Sequence, residues 1–289
     1  MIPGKFNYFS PGTVQEAVAL LDEHGYDAKI LAGGQSLIPA MRFRLALPEV
    51  LIDINGITDL DYLRESNGHL AIGAMTREST LEASDVVQGK YRLLADAARV
   101  IADPLVRNRA TVGGNLAHAD PANDHPAAML ACNATIIAQG PGGTRAIPMD
   151  EFFVGLFENA LADNEILTEI QVPAAGAGTG ETYLKMERKV GDYAVSAVAV
   201  RLTMDGDTCT AARIALTNVN PTPMRAKNAE QAIIGQAITD AVVEAAGQAA
   251  AAECDPSADL RGSVAYKRDL TRVLTKRAIG EAVARAKGA

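Results

Sequence analysis

The sequence predicts an α+β protein of two domains. Three observations carry this. The N-terminal half alternates helical and strand patterns. A small, glycine-rich stretch interrupts the chain at residues 174–180 (AAGAGTG). Beyond it, three strand patterns precede an Ala-rich helical region. At 289 residues the chain is also too long for one average domain. We place a first domain at residues 1–177 and a second, a small antiparallel sheet followed by a helical bundle, at residues 178–289.

Thr13-Val14-Gln15-Glu16 has the capping-box spacing, and Val14, Ala17, Val18 and Leu21 follow at helical period. Gly25 stands where a C′ glycine ends such a helix. Lys29 to Ala32 reads as a short buried strand, broken by Gly33-Gly34. Residues 50–54 and 70–74 read as further strands. Residues 91–102 read as a helix with Leu93, Leu94, Ala97, Ala98 and Ile101 on one side, followed by a second glycine break at Gly113-Gly114. Past the linker, residues 182–189, 195–204 and 208–218 read as strands, with Asp205-Gly206 supplying a hairpin turn. From about residue 224 the pattern is helical. Thr239 opens one segment, and Leu270, Val273, Leu274 and Ala278 mark another.

Composition excludes several function classes. Hydrophobic residues make up 48% and charged residues 21%, a globular balance. The net charge of -8 argues against a nucleic-acid groove or an anionic membrane surface, since both select for Lys and Arg. Cys132, Cys209 and Cys254 stand far apart and form no zinc, iron–sulfur or disulfide framework, which fits a reducing compartment. The N-terminus shows no basic region leading into an apolar stretch, so no signal peptide is expected. No apolar run reaches the ~18 residues a spanning helix needs.

Two loops carry potential chemistry. The first is Ala32-Gly33-Gly34-Gln35-Ser36-Leu37, directly after a strand. Adjacent glycines permit positive φ, leave no Cβ to obstruct a ligand, and let successive backbone N–H groups converge on an anion such as a pyrophosphate. Lys29 upstream would add positive charge. The loop matches neither a Walker P-loop nor the GxGxxG spacing, and a plain strand-to-helix turn is the alternative reading. The second is Thr111-Val112-Gly113-Gly114-Asn115, followed by Asp120 to Asp124. Gly113 and Gly114 would again expose backbone donors. Thr111 and Asn115 would bond phosphate or sugar oxygens, and Asp124 would accept from ribose or ribityl hydroxyls. An Asx-type turn network is the alternative here. Together the two loops point to a ligand with an extended diphosphate.

No metal motif places His24, His69, His118 or His125, and we assign His118 and His125 structural or supporting roles. Arg107-Asn108-Arg109 fits either a solvated face or support for a diphosphate or an electron-transfer partner. Gly191-Asp192-Tyr193 joins two predicted strands, and Tyr193 is either a packed turn tyrosine or a ring lying over a cofactor.

AGGQSLIP at 32–39, TVGGNLAHADPANDHP at 111–126, KMERKVGDYA at 185–194 and LTNVNPTP at 216–223 together resemble the FAD-binding medium subunits of aerobic molybdenum hydroxylases, of the xanthine oxidase family. The likeness spans essentially the whole chain and is strongest to the carbon monoxide dehydrogenase branch. It implies a PCMH/vanillyl-alcohol-oxidase-type FAD-binding domain followed by the family's C-terminal domain. It implies non-covalent FAD, with Ala32, Gly33, Gly34, Gln35, Ser36 and Leu37, preceded by Lys29, as the pyrophosphate loop. Thr111, Gly113, Gly114 and Asn115 then form the second phosphate and ribose loop. Asp124 falls at the acidic position that bonds the flavin's sugar chain. Ile101 and Leu167 pack apolar surface on the cofactor, Lys185 lies near the flavin, and Tyr193 is the aromatic beside the isoalloxazine.

The resemblance further implies an oxidoreductase subunit with no catalytic residue and no metal of its own. The molybdenum cofactor would sit on a molybdopterin large subunit and two [2Fe–2S] clusters on a small subunit, in a heterohexamer built as a dimer of heterotrimers. FAD would take electrons from the clusters and pass them to a quinone-type acceptor. The complex would be cytoplasmic, associated with the inner face of the membrane through partners. The NAD site of the xanthine dehydrogenase branch is not visible here. The flavin subunit of another molybdenum hydroxylase (acting on aldehydes or N-heterocycles), a stand-alone flavin oxidase and a non-catalytic nucleotide-binding subunit are the competing readings. On this view, Val at Gly33 or Gly114 blocks the diphosphate with the fold retained, and Asp124→Ala weakens FAD about tenfold to a hundredfold.

Overall fold

The computed structural model describes residues 2–288. A parallel sheet of order β1–β3–β2 opens the chain, from β1 (Asn7–Phe9), β2 (Ala28–Leu31) and β3 (Val50–Asp53). Parallel strands of one sheet need a crossover. Helix α1 (Val14–His24) supplies the one between β1 and β2. Its Thr13 hydroxyl accepts from the Glu16 amide, and Gly25 follows at φ 54, as the capping signals predict. Ala17, Val18 and Leu21 bury against Ile52 and Val50. Helix α2 (Leu37–Arg42) follows the first glycine loop.

An antiparallel sheet of order β4–β5–β10–β6–β7 comes next, built from β4 (Leu63–Ser66), β5 (His69–Gly73), β6 (Thr135–Gly140), β7 (Gly143–Pro148) and β10 (Ile166–Pro173). Between β5 and β6 run α3 (Glu78–Ala83), α4 (Asp85–Lys90), α5 (Arg92–Val100), α6 (Pro104–Arg107), α7 (Val112–His118) and α8 (Asp124–Ala131). Helix α9 (Met149–Phe152) and a hairpin of β8 (Phe153–Gly155) with β9 (Glu158–Asn159) precede β10. The predicted helix over 91–102 stops at Val100. Ala102 takes φ 46, and Asp103 caps the next helix ahead of Pro104.

The last part holds β11 (Thr179–Met186), β12 (Ser196–Asp205), β13 (Thr208–Thr217) and β14 (Met224–Arg225) in one antiparallel sheet. Helices α10 (Lys227–Ile233), α11 (Asp240–Glu253) and α12 (Val264–Ala286) follow. Period-2 alternation divides the sheet's two faces. Ala197 and Ala199 pack toward Leu93, Leu94 and Met129, while Val198, Val200 and Leu202 pack toward Leu270, Leu274 and Ala278. The small alanines let α5 and α8 approach the strands, so one core crosses from the first part of the chain into the second. The strand expected at 182–189 lies at Thr179–Met186 instead. Part of the predicted linker is therefore strand. Gly180 has no room for a Cβ, which would fall on the carbonyl oxygen of Ala282 in α12. That glycine serves helix-on-sheet packing rather than flexibility.

Candidate functional site

The two glycine loops meet. A Cβ on Gly33 would come within 2.3 Å of the Arg109 carbonyl oxygen, and one on Gly114 would lie 3.6 Å from the Ala32 Cβ. A cavity of about 80 Å³ opens beside them, lined by Ala32, Gly113, Gly114, Ala117, Met75 and Leu167, among others. Residues from both loops and from β10, 50 or more apart in sequence, thus share one apolar wall.

The first loop is an open donor rim. Among the described residues, the amides of Gly33, Gly34, Gln35 and Ser36 donate to no protein acceptor. Gly34 takes φ 72, which turns the chain so that these donors are not consumed by a strand. A brace behind the loop holds it. The Asn55 side-chain amide donates to the Ala32 carbonyl at 2.8 Å and to Asp53 at 2.7 Å, and Tyr8 donates to Asp53 at 2.6 Å. Arg77 donates to Asn55 at 2.7 Å and to the Arg109 carbonyl at 2.5 Å, tying the first loop to the approach of the second. Burial pushes the Asp53 carboxyl up, but the bonds from Tyr8 and Asn55 and the charge of Arg77 outweigh it and hold it below its usual value.

The second loop differs from its expectation. Its amides are spent inside the protein. Val112 donates to the Thr76 carbonyl, Gly113 to the Ala74 carbonyl at 3.0 Å, Gly114 to the Thr111 hydroxyl at 3.1 Å, and Asn115 to the Thr111 carbonyl. The reason is that Thr111 N-caps α7, and that Gly113 must pass against Ala74, where a Cβ would meet the backbone at 2.6 Å. What this loop offers a ligand is side chains and close approach. The Asn115 Oδ1 is buried with no partner among the described residues, on the residue that follows Gly114 of the cavity wall.

The remaining predicted residues form a second group. Ile101 is buried at the corner after α5. Asp124 is buried, accepting from the Tyr183 hydroxyl at 2.7 Å and from Lys185 Nζ at 2.9 Å. Lys185 also donates to the Val100 carbonyl at 2.9 Å. Burial pushes the Asp124 carboxyl upward, and Lys185 and Tyr183 pull it part of the way back. Tyr193 is 42% exposed. Asn123 links the groups, its side chain donating to the Asn115 carbonyl at 3.0 Å. Lys29 stands apart from the cavity lining, with its ammonium 4.8 Å from the Tyr26 ring. Arg107 is structural, paired with Glu82 at 2.7 Å and donating to the Ile101 and Ala102 carbonyls.

Sequence reasoning missed Tyr183, the Arg77–Asn55 brace and the Glu78–His125 pair. In that pair His125 Nε2 lies 2.7 Å from Glu78, with both side chains wholly buried. No spacing signal identifies any of these, since their partners lie 22 to 59 residues away. Among the described residues no group of His, Cys, Asp or Glu could hold a metal ion, and no helix is long and apolar enough to cross a membrane.

Residues 4–175 match the family described as the FAD binding domain in molybdopterin dehydrogenase, and residues 181–282 match the CO dehydrogenase flavoprotein C-terminal domain. The carbon monoxide dehydrogenase medium chain of Hydrogenophaga pseudoflava is 48% identical over 285 residues, 99% of each chain. The 6-hydroxypseudooxynicotine dehydrogenase complex subunit alpha of Paenarthrobacter nicotinovorans is 37% identical, covering 99% of this chain and 97% of its own. The solved carbon monoxide dehydrogenase from Hydrogenophaga pseudoflava, a form lacking the Mo-pyranopterin moiety, matches with TM-score 0.97 over 99% of both chains at 50% identity.

Proposed function

Because this chain belongs to the family of FAD-binding subunits of molybdopterin dehydrogenases, we propose that it is the flavin subunit of an aerobic carbon monoxide dehydrogenase. In that complex CO and H2O would become CO2, two protons and two electrons on a molybdenum-bearing large subunit. Electrons would reach this chain through [2Fe–2S] clusters on a small subunit and leave to a quinone-type acceptor. A dimer of heterotrimers, cytoplasmic and near the inner face of the membrane, completes the proposal, with domains divided at 177/178.

The observation that carries the flavin assignment is the open amide rim of Gly33 to Ser36, directly after Ala32, which lines one cavity with Gly113 and Gly114 of the second loop. These residues fit a dinucleotide. The rim amides would bind the diphosphate, since four undonated N–H groups can offset its charge without an Arg cluster. Asn115 Oδ1 and Thr111 would take hydroxyl donors. Ala32, Ile101 and Leu167 would give apolar contact and exclude water. Asp124, held by Tyr183 and Lys185, would orient the sugar chain, and Tyr193 would lie beside the ring. Bound FAD supplies a carrier that takes electrons singly and gives them up in pairs.

The full-length likeness at 48% identity supports CO as the primary substrate. A flavin subunit serving another substrate is the second reading, favoured by the nearly full-length likeness to the nicotine-derivative dehydrogenase subunit. Purification of the native complex, with identification of its subunits and metals, tests both. CO should bleach flavin absorbance in the complex and a quinone analogue should restore it, whereas the isolated flavin-loaded chain should not respond to CO. Bleaching of the isolated chain would overturn the division of labour. A complex inert to CO but bleached by an aldehyde or N-heterocycle would favour the second reading.

A further inference from the structure

We propose that Arg261 is a positioning residue for Tyr193, through which helix α12 sets the orientation of that ring. The ring sits on a loop after β11 that has little regular structure of its own. Gly191 there takes φ 81, and a Cβ on it would come within 2.9 Å of the Ala102 carbonyl, so the loop is seated against the corner after α5. That contact fixes the loop's base and leaves the ring's direction open.

A run of charged groups from the far end of the chain supplies the direction. Lys267, in α12, is 1% exposed and donates to Asp259 at 2.8 Å. The other oxygen of Asp259 accepts from the Arg261 and Gly262 amides at 2.7 and 3.1 Å, folding a tight turn. That turn presents the Arg261 guanidinium to Asp192 at 2.7 Å and to the Tyr193 ring, 5.5 Å from its centroid. Asp192 Oδ1 also accepts from the Tyr193 amide at 2.9 Å, so one oxygen anchors both the guanidinium and the tyrosine backbone. Arg188 reinforces the junction by donating to the Leu260 carbonyl at 3.1 Å. From above, Asn218 donates to the Ala194 carbonyl at 2.5 Å. A guanidinium over a ring face restrains the ring's tilt, because the attraction depends on the cation meeting the π face.

The consequence for electron transfer rests on the reading of Tyr193 as the flavin's neighbour, while the positioning itself does not. The full chain labelled with 3-fluorotyrosine separates the two. Of seven tyrosine signals, the one lost in Tyr193→Phe is assigned. Arg261→Gln and Asp192→Asn should each shift or broaden that signal and leave the other six in place. Arg261→Lys, which keeps a cation, should restore it in part. An unmoved Tyr193 signal in Arg261→Gln overturns the proposal, as does a general shift of all seven. In the FAD-loaded chain, Arg261→Gln should change reoxidation by a quinone analogue about twofold to fivefold, the range a cation–π contact supports. In a Tyr193→Ala background it should add nothing, and additive effects would overturn the proposal. If Tyr193→Ala leaves the flavin spectrum unchanged while Arg261→Gln still moves the fluorine signal, the positioning stands and the flavin-neighbour reading fails.

Discussion

Asp124 opens α8 in the first part of the chain and Lys185 lies in β11 of the second, and their side chains meet at 2.9 Å with both charges buried. Each is almost wholly inaccessible, so neither has water as a substitute partner. Removing Lys185 takes the paired cation from the buried Asp124, whereas Lys185 without Asp124 keeps Glu187 at 3.4 Å and the Val100 carbonyl at 2.9 Å. Lys185→Met should therefore cost about 3–5 kcal/mol, read as a lower urea midpoint. Asp124→Ala removes one bond from each of Lys185 and Tyr183, which keep Glu187 and the Thr217 hydroxyl, so its stability should fall together with its FAD affinity. Denaturant curves alongside flavin titration resolve the two contributions, and affinity loss with unchanged stability would contradict the buried pair.

Gly33 gives a second test. Obstruction of a ligand alone, with the fold intact, is the expectation from sequence, but the nearest atom to its missing Cβ is the Arg109 carbonyl oxygen. Gly33→Ala should then destabilise the chain by about 1–3 kcal/mol without any ligand present, as overpacking does. Gly114 differs, since its Cβ would first meet the Thr111 hydroxyl rather than backbone, and turning that hydroxyl away forfeits the cap of α7. Gly114→Ala should therefore cost about 1 kcal/mol, the worth of one N-cap, and less than Gly33→Ala. Equal melting temperatures for the two apo variants would refute this ordering.

Asn115 should behave in the opposite way to Asp124. Its Oδ1 has no protein partner among the described residues, so Asn115→Ala removes little from the apo fold through that atom. If the open acceptor meets a hydroxyl of the cofactor, FAD affinity should drop about twofold to tenfold, the worth of one hydrogen bond. Flavin fluorescence titration measures it, and unchanged affinity rules that contact out.

The Glu78–His125 pair predicts a pH dependence. Burial pushes the imidazole down, but the charge and hydrogen bond of Glu78, helped by Asp124, outweigh it and raise His125 above its ordinary value. A raised native value means the charged form is bound more tightly when folded. Its contribution is complete below about pH 6.5, the ordinary histidine value, and is lost as pH rises through the raised native value. The melting temperature of the wild type should exceed that of His125→Gln by most near pH 5.5, with the gap closing as pH rises above about 6.5. A gap that widens with pH would reverse the sign and exclude the charged pair.

Local pattern made several elements legible. Thr13, Thr239 and Gly25 sit at the helix ends where their chemistry placed them. The two-residue turn at Gly206-Asp207, with Gly206 at φ 58, follows from the Asp-Gly signal one residue away. The strands β4, β6, β7 and β10 and the β8–β9 hairpin are missing from the pattern reading, although Asn67-Gly68 turns β4 into β5 and Pro141-Gly142 turns β6 into β7. Asn67 at φ 50 and Gly68 at φ 79 set the β4–β5 pairing locally, so that signal was present in the sequence and not used.

The sequence by itself determined which backbone stretches could lack Cβ atoms, and therefore where the chain could approach a diphosphate. It also determined that three scattered cysteines are too few for two [2Fe–2S] clusters. Glycine spacing and cysteine count are local properties that survive any arrangement of the rest. Only the tertiary structure decided how each glycine is used. Gly33 and Gly34 belong to a loop with free donors, Gly113 to a close crossing over Ala74, and Gly180 to the seat of a helix on a sheet. It likewise decided that Asp124 faces Lys185 and Tyr183, and that Arg261 reaches Tyr193 from 68 residues away. A hydrogen bond or a close approach depends on distances set by packing among elements remote in sequence, and no periodicity along the chain encodes them.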